Sequence, residues 1–69
     1  MADRFFLNGE ERARTVASID ALLAAEGIDG ANGGVAVARN GEVVPRSEWA
    51  QTPVEADDRI ELVHIVRGG

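Results

Sequence analysis

The chain has 69 residues, of which 45% are hydrophobic and 28% charged, and its formal net charge is −5. A chain of this length and composition forms one small folded domain, and it has little room for an enclosed active site of its own. The acidic balance opposes nucleic-acid binding, and the absence of cysteine excludes disulfides, thiolate metal sites and thiol chemistry within the chain.

The first element is a predicted β-hairpin. An apolar run from Arg4 to Leu7 ends at Asn8-Gly9, and a second run from Glu10 to Arg14 can pair back onto it. Asn-Gly supplies the positive φ angles of a type I′ turn, which is the strongest short-range signal for a hairpin. Because strand side chains alternate between faces, Phe6 is expected opposite its two neighbours, where it is either exposed or covered by another element.

A helix follows from about Ile19 to Glu26. Ser18 can cap its first turn, the apolar positions recur at helical spacing, and Gly27 suits the left-handed residue that follows a helix. The glycine-rich stretch 28–34 lacks the Gly-Lys-Ser/Thr ending of a phosphate loop, so we interpret it as a flexible connection.

A second hairpin is predicted over residues 35–44, with its turn at Asn40-Gly41 and its end at Pro45. Ser47 is expected to cap a brief turn that carries Trp49. The indole of Trp49 is expected to cover one edge of the core, with its N–H group bonded to a partner.

The last β-rich run extends from Ile60 to Val66. Alternation places Ile60 and Leu62 on one face, and it places Val63 and Ile65 on the other. With Phe6, these two residues are predicted to form an exposed apolar patch, a feature that marks a binding surface on a small domain.

The order hairpin, helix, hairpin, final strand predicts an α+β fold with a mixed sheet and one main helix packed across it. A β-grasp arrangement satisfies this order if the last strand pairs in parallel with the first and the tail protrudes from the sheet. We expect the domain to span residues 1–66 and a flexible C-terminal tail to span 67–69.

Several other candidate sites are set aside. His64 is the only histidine and cannot assemble a zinc site, so no metal is expected, and the serines fit caps better than nucleophiles. The acidic cluster at Glu55, Asp57, Asp58 and Glu61 fits a solvated turn, with steering toward a basic partner as the alternative. No apolar stretch suggests a membrane span or a secretion signal, so a cytoplasmic location is expected.

The chemical candidate is the end of the sequence, Arg67-Gly68-Gly69. Two residues without Cβ can pass through a narrow channel, so a partner enzyme could reach a free carboxylate on Gly69. The alternative is that these glycines are frayed terminal residues with no function.

Three segments resemble one family. Asn8-Gly9-Glu10, residues 35–49 and residues 58–69 are similar to the sulfur carrier proteins of thiamine biosynthesis, the ThiS family. The resemblance covers nearly the whole chain, and its Gly-Gly end is shared with the molybdopterin synthase small subunit and ubiquitin-like modifiers.

The resemblance implies a ubiquitin-like β-grasp fold and a protein co-substrate rather than an enzyme. Gly69 would be adenylated by an ATP-dependent partner enzyme, converted to a thiocarboxylate with sulfur from a donor such as a cysteine desulfurase, and used by thiazole synthase. No cofactor would be bound by the chain itself, and the only ATP would be that used by the activating enzyme.

Within this scheme Gly68 gives steric access and Arg67 orients the tail, while both enzymes would recognise Phe6, Val63 and Ile65. Two alternatives stay open at this point. The chain could carry sulfur for molybdopterin or another pathway, or it could be a ubiquitin-like binding module with an inert tail.

Overall fold

The computed structural model describes residues 3–28 and 34–64. The middle of the glycine-rich connection therefore lies outside the described residues. The predicted boundary between domain and tail also lies outside the described residues. The same holds for four of the residues proposed above for function, which are Ile65, Arg67, Gly68 and Gly69.

Five strands and one α-helix make up the described fold. The strands are β1 (Arg4–Leu7), β2 (Glu10–Ala13), β3 (Val35–Arg39), β4 (Glu42–Val43) and β5 (Arg59–His64), and the helix α1 is Ile19–Ala25. They form one sheet of order β2-β1-β5-β3-β4, in which only the β1–β5 pair is parallel. The predicted α+β fold and the pairing of the last strand with the first are confirmed.

Both Asn-Gly pairs form the expected turns. Asn8 and Gly9 have φ angles of 50° and 83°, and Asn40 and Gly41 have 52° and 86°. Two successive residues in the left-handed region are what a type I′ turn requires. The first turn joins β1 to β2 and the second joins β3 to β4, so both hairpins are confirmed.

The helix begins as predicted and ends one residue early. The Ser18 hydroxyl accepts a hydrogen bond from the Ala21 N–H at 3.1 Å, which satisfies one of the free donors of the first turn. Glu26 is the residue that follows the last helical residue, Ala25, and Gly27 has a φ of 73°. The glycine therefore occupies the left-handed position that the sequence indicated.

The hydrophobic core lies between α1 and one face of the sheet. Its buried side chains are Phe5, Leu7, Ile19, Leu22, Leu23, Val35, Val37, Val44, Trp49, Val54, Ile60 and Leu62. The Trp49 indole N–H donates to the Val44 carbonyl oxygen at 2.9 Å, which confirms the expected partner. The indole is buried, so this bond avoids the cost of an unpaired donor in the core.

The predicted role of Ser47 is wrong. A 3₁₀-helix does form at Arg46–Glu48, but Ser47 lies inside it and Pro45 precedes it, without a side-chain hydrogen bond to the turn. The proline ring fixes φ at −60°, an angle that already suits entry into a tight turn. The turn begins at Pro45, so a serine two residues later is past the position from which a hydroxyl could cap it.

The acidic cluster is mostly paired within the chain. Asp58 is 6% exposed and accepts hydrogen bonds from Arg39 Nε at 2.7 Å, Asn40 Nδ2 at 3.0 Å and the Glu55 N–H at 2.8 Å. Arg39 also binds the Glu55 carboxylate at 2.8 Å.

Asp57 in turn lies 3.1 Å from the Arg4 guanidinium. Three of the four acidic side chains thus have arginine partners in the fold. Neither interpretation of the cluster, as a solvated turn or as a steering patch, describes Asp58, which is a structural residue.

Burial raises the pKa of Asp58, but the hydrogen bonds from Arg39, Glu55 and Asn40, with the positive charge of Arg39, lower it overall below its usual value. A carboxyl group whose pKa is lower in the folded protein stabilises the fold at neutral pH. That contribution is lost as the pH falls from the unfolded-chain value of 3.8 through the folded value.

We therefore expect Asp58→Asn to lower the free energy of unfolding at pH 7 by about 2 kcal/mol, because an amide N–H₂ would then face other hydrogen-bond donors. The difference between wild type and variant should be constant above pH 3.8 and should shrink below it, as followed by urea unfolding. Glu61→Gln, which changes an exposed member of the same cluster, is the control and should cost less than about 0.5 kcal/mol. A gap that widens in acid would contradict this role for Asp58.

Candidate functional site

One face of the sheet is left open, because α1 covers the other. The strand registers define this open face, since directly opposed residues in a sheet point to the same side. Ala36 is opposite Val63, Ala38 is opposite both Glu61 and Val43, and Phe6 is opposite Arg59. Its central residues are Arg4, Phe6, Ala36, Ala38, Val43, Arg59, Glu61 and Val63.

Two large aliphatic side chains of the open face are strongly exposed. Val63 is 59% exposed on β5, and Val43 is 77% exposed on the edge strand β4. The small alanines at positions 36 and 38 lie between these two strands on the same side of the sheet. The result is a small apolar patch on the open face, bordered by the charged Glu61, which lies opposite Ala38.

Phe6 lies at the opposite side of this surface, as the strand alternation predicted. It is half-buried, and the guanidinium carbon of Arg4 lies 5.1 Å from the centre of its ring. Arg4 is held in place by Asp57 and Glu11, each at 3.1 Å. The hydrogen bond to Asp57, followed by the charge of Glu11, raises the pKa of Arg4, so this cation over the ring persists at any physiological pH.

Phe6 and Val63 lie on the same face of the sheet, as the alternation predicted, but Phe6 is half-buried and lies opposite Arg59, four residues before Val63 along β5. Ile65 lies outside the described residues, and the use of these three residues for partner binding stays a prediction. The contribution of Val43 was missed. The sequence indicated Val43 through the alternation of side chains within the second hairpin. The pairing of β4 with β3, and of β3 with β5, is needed to show that Val43 and Val63 share a face.

A groove of about 810 Å³ lies between the two Asn-Gly turns, beside the start of β5. It is lined by Phe6, Gly9, Asn40, Gly41, Arg59, Ile60 and Glu61. The groove is shallow and lacks a nucleophile with an adjacent base. Within residues 3–28 and 34–64, no three side chains of the metal-binding types converge on one point.

The remaining residues considered in the sequence have structural or surface positions. Ser18 caps α1, and His64 is exposed at the end of β5, opposite Val35 of β3. Among the described residues, no helix is long and apolar enough to cross a lipid bilayer.

The described part of β5 ends at His64, five residues before Gly69. β5 runs between β1 and β3, and Val63 on the open face precedes Gly69 by six positions in the sequence. Arg67, Gly68 and Gly69 are themselves outside the described residues. The strand that leads to the proposed chemical end thus also contributes to the exposed apolar surface.

Comparison with known proteins gives one consistent result. The model of the ThiS family matches residues 5–69. A thiazole synthase of Paramagnetospirillum magneticum is 40% identical over 67 residues, which are 96% of this chain and 20% of that protein. The sulfur carrier protein ThiS of Escherichia coli K12 is 41% identical over 44 residues, which are 64% of this chain and 67% of that protein.

Among solved structures, the crystal structure of the thiamine biosynthesis protein ThiS from Geobacter metallireducens superposes with a TM-score of 0.76. The two are 29% identical, and the match covers 96% of this chain and 99% of the other. This chain spans only a fifth of the length of the thiazole synthase relative. The resemblance noted in the sequence and the ubiquitin-like β-grasp fold are both confirmed.

Proposed function

Because this chain belongs to the ThiS family, we propose that it is a sulfur carrier of thiamine biosynthesis, with sulfur held as a thiocarboxylate on Gly69. The observation that carries the proposal is the extent of the family match, which runs through the Gly-Gly pair as well as the folded strands. In this role the protein is a co-substrate of other enzymes and not a catalyst.

The chemistry of the carrier end follows from the reactivity of a carboxylate. A carboxylate resists nucleophilic attack, so an ATP-dependent enzyme first forms an acyl-adenylate on Gly69 and releases pyrophosphate. A persulfide sulfur then attacks the acyl carbon, the bond to AMP breaks, and an acyl disulfide results. A second thiol cleaves its S–S bond, which leaves the thiocarboxylate and a new disulfide.

Every thiol that takes part in these reaction steps must come from a partner protein, because the chain has no cysteine. A cysteine desulfurase is the donor class that fits, since it supplies sulfur as a persulfide. We place the reaction in the cytoplasm, where the activating enzyme has its ATP. The chain itself needs no bound cofactor for this role.

Thiazole synthase is the proposed sulfur acceptor. The relative that bears this name contains a segment 40% identical to 67 residues of this chain. A carrier-like segment and a thiazole synthase thus occur in one polypeptide in that organism. This supports direct transfer of sulfur from the present chain to a thiazole synthase.

The open face is the proposed docking surface for the activating enzyme. An apolar surface on the strand that leads to the tail can hold the partner while the tail enters its active site. Phe6 and Val63 lie on this face, and Ile65 continues the same alternation along the sequence. We propose that Arg67 guides the tail and that Gly68 lets it pass through a narrow entrance.

Gly69→Val tests the role of the carrier end. A β-branched side chain next to the reacting carboxylate should block adenylation, so ATP–pyrophosphate exchange by the activating enzyme should fall at least about a hundredfold. Appending one residue after Gly69 should have the same effect, because it moves the carboxylate. The urea midpoint should stay that of the wild type. Undiminished exchange with both variants would refute the assignment of Gly69.

Val63→Asp tests the docking surface. A carboxylate buried in an apolar interface should raise the dissociation constant for the activating enzyme about tenfold, as measured by calorimetric titration. The exposed side chain contributes little to the core, so the change in stability should be below about 1 kcal/mol.

Ala24→Asp is the matched control, since it adds the same charge on the exposed side of α1, across the domain from the open face. It should bind like the wild type. Equal affinities of Val63→Asp and Ala24→Asp for the activating enzyme would refute the proposal that the open face is the docking surface.

A further inference from the structure

Two nearly identical turns lie on either side of β5, and each contributes an asparagine side chain to that strand. Asn8 and Asn40 have φ angles of 50° and 52°, and each is followed by a glycine in the left-handed region. Their side-chain hydrogen bonds, however, reach different residues of the strand. Asn40 binds Arg59, the first of the six residues of β5, and Asn8 binds Leu62, the fourth.

Asn8 extends the sheet beyond the end of β1. The last opposed pair of the parallel ladder is Leu7 with Ile60, whereas β5 continues to His64. The Asn8 main-chain N–H donates to the Ile60 carbonyl at 2.9 Å. Beyond that point the chain of the first hairpin turns away toward β2.

The side chain of Asn8 then takes the place of the missing strand residue. Its Oδ1 accepts from the Leu62 N–H at 2.8 Å, and its Nδ2 donates to the Leu62 carbonyl at 3.3 Å. One amide group thereby satisfies both main-chain groups of Leu62 on the β1 side. This contact defines what we call the Asn8 clamp.

Asn40 makes the corresponding contacts at the start of β5. Its Oδ1 accepts from the Arg59 N–H at 2.9 Å, and its Nδ2 donates to Asp58 Oδ1 at 3.0 Å. These bonds support the buried carboxylate of Asp58 and lie three residues before the Leu62 contact in the sequence. Both asparagines therefore contribute to stability, but Asn8 bonds β5 nearer to its C-terminal end.

We infer that Asn8 is a positioning residue for the sulfur-carrying end. The Asn8 clamp fixes Leu62, the residue before Val63, to the hairpin that bears Phe6, so the strand that leads to the tail keeps its position relative to that hairpin. This inference rests on the proposed function, because it assigns the clamp to the alignment of Gly69 in the activating enzyme.

Misalignment of Gly69 in the activating enzyme changes the rate of adenylation rather than the affinity of the enzyme for the carrier. Displacing a reacting group by about 1 Å can slow a reaction about a hundredfold, even when the change lies far from the chemistry. The docking residues on the open face keep their strand register when the clamp is removed, because the Leu7–Ile60 pairing and the main-chain bond from residue 8 to Ile60 remain. Loss of the clamp should therefore lower kcat for adenylation and leave the KM for the carrier nearly constant.

The test compares Asn8→Gly with Asn40→Gly in the full chain. Glycine adopts the positive φ angle at both positions, so each variant loses two side-chain hydrogen bonds without backbone strain. The readout is ATP–pyrophosphate exchange by the activating enzyme at varied carrier concentration. It is measured at a temperature well below the thermal unfolding midpoints of both variants. We expect Asn8→Gly to lower kcat about tenfold with KM within about twofold, and Asn40→Gly to leave both within about twofold.

Amide hydrogen exchange gives a second readout that does not depend on the partner. Asn8→Gly should speed exchange at Leu62 at least about tenfold more than Asn40→Gly does, because only Asn8 bonds this N–H. Asn8→Asp retains the acceptor for the Leu62 N–H and should restore most of that protection. Should Asn8→Gly itself fold poorly, Asn8→Asp still tests the inference. Aspartate lacks the donor to the Leu62 carbonyl, so kcat for adenylation should again fall below the wild-type value.

Equal kcat values for the two glycine variants, or unchanged exchange at Leu62 in Asn8→Gly, would overturn the inference. A failure of the proposed function looks different, since the wild-type chain would then show no ATP–pyrophosphate exchange at all. In that case the exchange rate of the Leu62 amide still decides whether the clamp holds β5.

Discussion

Main-chain hydrogen bonds along both edges of β5 are the constraint on which the remaining structure depends. β5 comes last in the sequence but lies in the middle of the sheet, parallel to β1 and antiparallel to β3. Within the part of the chain that the structure describes, the two hairpins are joined in one sheet only through this strand. The segment that leads to the proposed carrier end is therefore also the segment that closes the fold.

The two faces of the sheet have separate tasks. The face toward α1 is filled by aliphatic side chains with Phe5 and Trp49, and it supplies the hydrophobic stabilisation of a very small domain. The open face keeps Val43 and Val63 in contact with solvent. These two exposed side chains are available for the docking role proposed for this face.

Asp58 shows how the start of β5 is held. Its carboxylate joins Arg39 and Asn40 from the second hairpin to the Glu55 N–H of the preceding loop. A buried charge of this kind fixes the geometry of the groups around it, because each alternative arrangement would leave a donor or an oxygen without a partner. The beginning of the strand is thus held by a charge, and its later part by the neutral amide of Asn8.

Local chemistry explains which features were predictable from the sequence. The Asn-Gly turns, the Ser18 cap and Gly27 depend on one or two residues and their neighbours, and all were found where expected. The parallel pairing of the last strand with the first was predicted from the order of the elements, but individual side-chain contacts between residues far apart in the sequence were missed. Asp58 needed Arg39 to be recognised as structural, and Val43 needed the register of three strands.

Val54 and Asn8 illustrate the same limit. Val54 stands between Pro53 and Glu55, outside every element predicted from the sequence, but it is 1% exposed in the core. Asn8 was recognised only for its φ angle, since its partner Leu62 is 54 positions away in the sequence. The family resemblance, by contrast, was carried by contiguous motifs, which explains why it could be identified before any geometry was known.

Intact-mass spectrometry of the chain ending at Gly69 tests the central claim most directly. The chain would be incubated with the activating enzyme, ATP and a persulfide-generating cysteine desulfurase, with and without ATP. We predict an ATP-dependent gain equal to the replacement of one oxygen by one sulfur, located by fragmentation at Gly69. An unchanged mass, or sulfur attached to any other residue, would contradict the account.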